Sequence, residues 1–181
     1  GNFLAGVGYN LLTKPERSTD KASYSDFFRN GPFFSFAAGP SAIATPYLES
    51  YKRNLGMQTQ VSVGKWFNPS SGLRLSGHAS IYRDYLAYLL SYNTKRYWMR
   101  SVGLRAEYML NMHNLFGGPR KDRLFEVNAI AGIDYSVLKE AKQNKHCNFG
   151  LGGALQGAFR ISNSTNFFIE PRVDVYGGSY V

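Results

Sequence analysis

Apolar and polar residues alternate one by one along much of this chain, and this period of two constrains the fold more than any other feature. Between residues 148 and 162 the alternation is nearly unbroken over about fourteen residues. A β-strand turns successive side chains to opposite faces, whereas a helix repeats every 3.6 residues. Eight segments follow the period of two and predict eight strands: 2–12, 32–43, 55–67, 71–82, 97–112, 124–137, 148–162 and 167–176.

The length and hydropathy of the chain favour one all-β domain. The 181 residues suit a single domain, and an eight-stranded transmembrane barrel needs about this much chain. Mean hydropathy is only −0.30, and no window approaches the ~20 apolar residues of a membrane helix. A membrane barrel has such a profile because every second residue faces the lumen. We therefore predict an antiparallel, up-and-down transmembrane β-barrel over residues 1–181.

Two tight turns allow the strand register to be checked. If the chain turns at 68–70 and again at 163–165, polar positions meet polar ones and apolar positions meet apolar ones in the first hairpin, as a buried face requires. The predicted opposite pairs are Gln60 with His78, Ser62 with Ser76, Val63 with Leu75 and, across the second turn, Arg160 with Phe168.

The apolar faces of the predicted strands have aromatic residues near their ends. Leu, Val and Ala occupy the middle, and the flanking aromatic pairs are Phe149 and Phe159, Phe125 and Tyr135, and Trp98 and Tyr108. In a soluble sandwich such a face covers a core, whereas in a membrane barrel it meets lipid between aromatic girdles. The strand lengths fit the 9–11 residues of a transmembrane strand, which favours the membrane.

The opposite faces carry charges of both signs among small residues. A narrow barrel fills its lumen with such ion pairs, a wider one hydrates them, and a sandwich exposes them to solvent. In the barrel interpretation these residues form a polar network in the lumen: Arg74, His78, Arg105, Glu107, Glu126, Asp134, Arg160, Glu170, Arg172 and Asp174.

Parts of the sequence resemble OmpA-like outer-membrane β-barrel proteins of Gram-negative bacteria. The stretch 61–75 resembles one of their hairpins, and 111–123 followed by 125–135 resembles the next turn and strand. The resemblance covers roughly residues 32–176. It implies insertion into the outer membrane with short periplasmic turns and longer outer loops, and it implies no catalytic residue.

The direction of the strands predicts a larger barrel. If the tight turns are periplasmic, the first strand begins and the last strand ends outside the cell. Barrels of the family that the chain resembles have both termini in the periplasm and end in a strand with a terminal aromatic, whereas this chain ends Ser179-Tyr180-Val181. We therefore expect missing strands on both sides and a parent barrel of ten or more strands.

The same parity makes 44–54, 83–96 and 138–146 the outer loops, and these are rich in Lys and Arg. The net charge of +9 is not gathered into a basic stripe, so anionic lipid is a better partner than nucleic acid. A basic rim suits the phosphates of lipopolysaccharide, although solvated loop charges explain it equally. The basic rim consists of Lys52, Arg53, Lys95, Arg96, Lys139, Lys142 and Lys145.

Candidate catalytic and metal-binding residues are few. His78 shares a face with Ser76 and Ser80, but residues two apart on a strand are about 6.6–7 Å apart, beyond hydrogen-bond reach. A histidine in a polar network is the better interpretation. His113 and the His146-Cys147 pair lack a second ligand at metal spacing. We predict no catalytic residue, no metal and no cofactor.

The sequence thus favours a non-enzymatic barrel of the bacterial outer membrane, acting as a scaffold or as a subunit of a membrane assembly with other outer-membrane proteins. Three alternatives remain at this point. They are a porin-like pore for small solutes, a barrel enzyme acting on lipid around His78, and a soluble lipocalin-like binding barrel.

Overall fold

The computed structural model describes residues 2–10, 32–43, 54–83, 98–118, 123–139, 145–162 and 164–177. They form eight strands and one short helix, which agrees with the predicted all-β class. The bounds of these elements are β1 Asn2–Asn10, β2 Phe33–Ile43, β3 Asn54–Trp66, β4 Ser71–Arg83, β5 Trp98–Asn111, α1 Met112–Gly117, β6 Phe125–Lys139, β7 Lys145–Arg160 and β8 Thr165–Gly177.

Each strand pairs antiparallel with its neighbours in sequence, and β8 pairs with β1, so the sheet closes into a barrel. If each residue's opposite partner is traced from strand to strand around the barrel, a path that leaves β3 at Trp66 comes back to β3 at Gly56, ten residues away. That path runs through Trp66, Gly72, Met109, Ile130, Ala154, Arg172, Asn2, Ser41 and Gly56. The register offset of the closed sheet is therefore ten residues.

Strand number and register offset together determine the size of a barrel. With a rise of about 3.3 Å per residue and strands about 4.8 Å apart, eight strands and an offset of ten give a strand tilt of about 40° and a radius of about 8 Å. At that radius the interior is just wide enough for side chains to fill.

Closure with eight strands corrects the expectation of a barrel of ten or more. β1 is opposite β8 from Asn2 to Tyr9, so neither strand presents a free edge there. The expectation of a larger barrel came from the predicted position of the two chain ends outside the cell, whereas barrels of the resembled family have both ends in the periplasm. Whether a sheet closes depends instead on the register offset that accumulates from strand to strand. Here eight strands close the barrel, and β1 begins and β8 ends at the same end of it. We call this the terminal end, and the end with the tight turns the turn end.

The first predicted hairpin register is confirmed and the second is not. Gln60 lies opposite His78, and the Asn68 side-chain oxygen accepts hydrogen bonds from the backbone N–H groups of Ser70 and Ser71. Arg160, however, lies opposite Asn166 and not opposite Phe168. The Ser162 hydroxyl accepts from two backbone N–H groups and centres the turn one residue earlier, which shifts the partner by two and preserves the faces.

The helix α1 was not predicted from the period of two. The Asn111 side chain caps it by accepting from the N–H of Asn114, and the Asn114 side chain donates to the carbonyl of Pro69 at 2.7 Å. The His113 Nδ1 accepts from the N–H of Val127 at 3.0 Å. These bonds tie α1 to the turn between β3 and β4 and to β6. No helix among the described residues is long and apolar enough to cross a membrane.

Closure of the barrel predicts a specific disulfide. Val7 and Phe167 are directly opposite each other on β1 and β8. Opposite Cα atoms in an antiparallel pair are about 4.5–5.5 Å apart, within the span of a disulfide. In a Cys147→Ser background, Val7→Cys with Phe167→Cys should oxidise to an intramolecular disulfide, seen as a reduction-sensitive mobility shift of the monomer.

The matched control is Val7→Cys with Val102→Cys, which combines β1 with the non-adjacent β5 and should not oxidise within the monomer. If further strands separated β1 from β8, the first pair would also stay reduced.

Candidate functional site: an ion-pair network in the barrel interior

Four charged side chains from three strands form a closed ring of ion pairs in the interior. Arg74 on β4 donates from Nε to Glu107 on β5 at 2.7 Å, and from both terminal nitrogens to Glu170 on β8 at 2.9 and 3.0 Å. Arg172 donates to the same two carboxylates, Glu107 and Glu170. Each arginine thus contacts both glutamates, and the guanidinium forks match the carboxylate geometry.

Polar neighbours occupy further positions around the two carboxylates. The Ser76 hydroxyl donates to Glu107 at 2.9 Å, and the Gln156 amide donates to Glu170 at 3.0 Å. The Asn128 side-chain amide in turn donates to the side-chain oxygen of Gln156. Burying charge is expensive unless it is paired and hydrogen-bonded, and this ring meets both conditions except at the Arg172 Nε, which is buried without a hydrogen-bond partner.

A second cluster is centred on Arg105 of β5. Its three donor groups reach Asp134 at 2.8 Å, Gln60 at 3.1 Å and Asp174 at 2.9 Å. The Tyr176 hydroxyl also donates to Asp134, at 2.8 Å. Arg172 joins the two clusters through a 3.4 Å contact with Asp174. The ion-pair network therefore spans β4, β5, β6 and β8 across the lumen.

Glycines on the inward rows make room for these side chains. Gly132 lies opposite Glu107, Gly152 opposite Asp174 and Gly103 opposite His78. A methyl group added at Gly132 would lie 2.8 Å from the Cα of Glu107, so a larger residue would displace the glutamate. The alternation of small and large residues across neighbouring strands packs the narrow interior.

Apolar side chains pack in the interior beside the network. At the turn end, Phe33 and Trp66 have ring centroids 6.4 Å apart, and Met109 and Ile130 are buried in the same cluster. Leu4, Ala37 and Phe168 form a second buried cluster. The ion-paired side chains in the same interior are only 0–3% exposed.

The structure brings eight of the ten proposed lumen residues together. Arg74, Arg105, Glu107, Asp134, Glu170, Arg172 and Asp174 form the network, and His78 Nε2 lies 3.7 Å from Asp134. Glu126 and Arg160 lie apart from it, half-buried near the turn end. Glu126 accepts a hydrogen bond from Asn111 at 2.9 Å.

Sequence reasoning missed the carboxylate beside His78. Asp134 is on β6 and His78 is on β4, so the curvature of the sheet across β5 brings the two side chains together. The Ser76 hydroxyl donates to Glu107 and takes no part in a serine–histidine pair. Gln60, Gln156 and Tyr176 also belong to the network, and their positions on the polar faces were the available signal.

The basic rim lies mostly outside the described residues. This applies to Lys52, Arg53, Lys95, Arg96 and Lys142. The predicted loop 138–146 needs correction, because β6 continues to Lys139 and β7 begins at Lys145, so both lysines belong to strands. Their backbones continue the ladder because opposite residues remain paired up to these two positions.

The geometry of the network favours a structural role over chemistry. The guanidinium groups of Arg74, Arg105 and Arg172 form ion pairs with carboxylates. The Ser76 hydroxyl, near His78 on the same strand, donates its hydrogen bond to Glu107. Among the described residues, no three His, Cys, Asp or Glu side chains come together as metal ligands.

Comparison with known proteins adds no functional information: no protein family, curated protein or solved structure matches this chain.

The ring of ion pairs predicts a large cost for removing one carboxylate. Glu170→Gln should lower the free energy of unfolding by about 3–5 kcal/mol, because it leaves two buried arginines with too little negative charge. The measurement is urea unfolding followed by tryptophan fluorescence.

Glu126→Gln is the matched control. This glutamate is half-buried and its described bond is to Asn111, so its loss should cost about 1 kcal/mol or less. Equal losses for the two variants would mean that the ring does not stabilise the barrel.

Proposed function

We propose that this chain is an integral β-barrel protein of a Gram-negative outer membrane, acting without catalysis as a closed scaffold or as a subunit of a membrane assembly. One observation carries the proposal: the barrel is inverted relative to a soluble protein. Most charged residues of its described strands lie on the inward rows, and its large apolar residues cover the outer surface.

The outward face of the described strands is mainly apolar and exposed. Met57 is 62% exposed, Val102 62% and Leu151 64%. Contiguous apolar surface on this scale is rare on soluble monomers and marks contact with a membrane or another protein. Since the apolar rows continue around all eight strands, a surrounding lipid phase fits better than one partner patch.

The height of the apolar surface fits a bilayer. On β6 the outward row stays uncharged from Phe125 to Val137, and Lys139 follows. These twelve residue steps of about 3.3 Å, tilted at about 40°, span about 30 Å along the barrel axis. The hydrocarbon core of a bilayer is also about 30 Å thick.

Aromatic side chains lie toward both ends of this surface. Phe125 and Phe159 face each other at the turn end with ring centroids 4.7 Å apart. Tyr135 and Phe149 are opposite each other nearer the terminal end, and both are exposed. This arrangement supports aromatic girdles at two membrane interfaces.

The filled interior favours a scaffold over a pore. The ion-pair network and the two apolar clusters occupy the lumen of a barrel only about 8 Å in radius. A lipocalin-like carrier encloses a ligand cavity in its barrel, whereas this lumen contains buried ion pairs. The alternatives of a solute pore and a soluble carrier are therefore less well supported than the scaffold.

Substitution of an outward leucine by arginine tests membrane embedding. Leu104 lies midway along β5 and is 60% exposed. In a bilayer, Leu104→Arg should cost about 2–4 kcal/mol of folding free energy, measured by urea titration in phosphatidylcholine vesicles. In a water-exposed barrel the same change should be nearly neutral.

Ile161→Arg is the control, because Ile161 is 66% exposed but follows the last residue of β7. Near an interface the cost of a charge falls to about 0–1 kcal/mol. Similar costs at both positions would argue against a lipid-facing surface.

Fractionation of the native protein followed by planar-bilayer conductance tests the scaffold. We expect the protein in the outer-membrane fraction, and we expect the detergent-purified material to produce no conductance steps. Stepwise conductance would favour the pore, and solubility without detergent would contradict the proposal as a whole.

A further inference from the structure

Charge on the outward rows of the described strands is entirely positive. Lys65, Arg100 and Lys139 are exposed there, whereas Glu107, Glu126, Asp134, Glu170 and Asp174 all occupy inward rows. Lys65 is near the turn end. The other two are near the terminal end.

The register brings the cations of the terminal end into direct opposition. Arg100 on β5 lies opposite Lys139 on β6, and Lys139 lies opposite Lys145 on β7. Opposite Cβ atoms are about 4.5–5.5 Å apart, and like charges at that separation destabilise a sheet. An anion bound between them would remove this repulsion.

No carboxylate of the described residues serves as that anion. The closest acid in sequence on β6 is Asp134, which lies in the lumen and accepts from Arg105 and Tyr176. The outward residues next along the strands are Val102, Val137 and Cys147, which begin the apolar surface. Within the described residues, then, no carboxylate lies beside this pair of cations, which stands at the edge of the apolar outer surface.

We propose that Arg100 and Lys139 bind a phosphate group of a membrane lipid that carries phosphate monoesters, as lipopolysaccharide does. The two cations lie opposite each other on neighbouring strands, with Cβ atoms about 5 Å apart. A phosphate monoester carries about two negative charges at neutral pH and contacts such a pair more strongly than a phosphodiester, which carries one. This inference rests on the proposed membrane location and assigns the terminal end to the outer leaflet.

The test compares the thermal stability of Lys139→Gln and the wild type, first in detergent alone and then with lipid A. In neutral dodecylmaltoside micelles, Lys139→Gln removes the repulsion with Arg100 and should raise the midpoint of thermal unfolding. With lipid A added, the wild type should gain more than the variant. The lipid A concentration for half-maximal stabilisation should rise about fivefold for Lys139→Gln and about twentyfold for Arg100→Gln with Lys139→Gln.

Two controls separate a site from diffuse attraction. Lys65→Gln removes one cation at the turn end and should leave the lipid A response unchanged. Phosphatidylglycerol, matched to lipid A in total phosphate, should stabilise the wild type less. An equal effect of Lys65→Gln, or equal stabilisation by the two lipids, would overturn the proposal.

The design distinguishes this proposal from the proposed function. A protein that folds only with detergent or lipid but gives the same lipid A response in all variants would retain the membrane barrel and lose the phosphate site. A protein that folds without amphiphile would lose both.

Discussion

Closure of the sheet with an offset of ten residues is the constraint on which the rest of the structure depends. It limits the radius to about 8 Å and so decides what the interior can contain. Pairing of β1 with β8 also brings Glu170 within reach of Arg74, residues 96 positions apart in the chain. With β1 and β8 separated, the ring of ion pairs would lose one of its sides, and the lumen would need water in place of side chains.

The charged interior and apolar exterior are two consequences of the same arrangement. In water, a barrel with a ring of buried arginines and glutamates gains little from the ring itself, because desolvation offsets most of the Coulomb attraction. Its outer rows would also expose Leu, Val and Phe to solvent. In a bilayer those rows need no further cover, and the lumen is where charge is least costly. The membrane proposal thus explains both surfaces with one environment.

Much of the fold was predictable from the sequence because alternation reports strands directly. It placed eight strands within a few residues of their observed bounds and assigned the charged residues to one face. It did not report closure, since the β1–β8 pairing involves residues far apart in the chain and no turn. The contact between His78 and Asp134 was missed because β5 lies between their strands, β4 and β6. The helix α1 depends on side-chain caps at Asn111 and Asn114, which a period of two cannot reveal.

The most direct test of the central claim is which side chains touch hydrocarbon. In NMR of the methyl-labelled protein in micelles, nuclear Overhauser effects from detergent acyl chains report contacts of individual methyl groups. We predict strong effects at the outward methyls of Val102, Leu104 and Leu151, and none at Leu4, which is buried in the lumen. Acyl-chain contacts at Leu4 with none at the outward methyls, or a protein that folds without detergent, would contradict it.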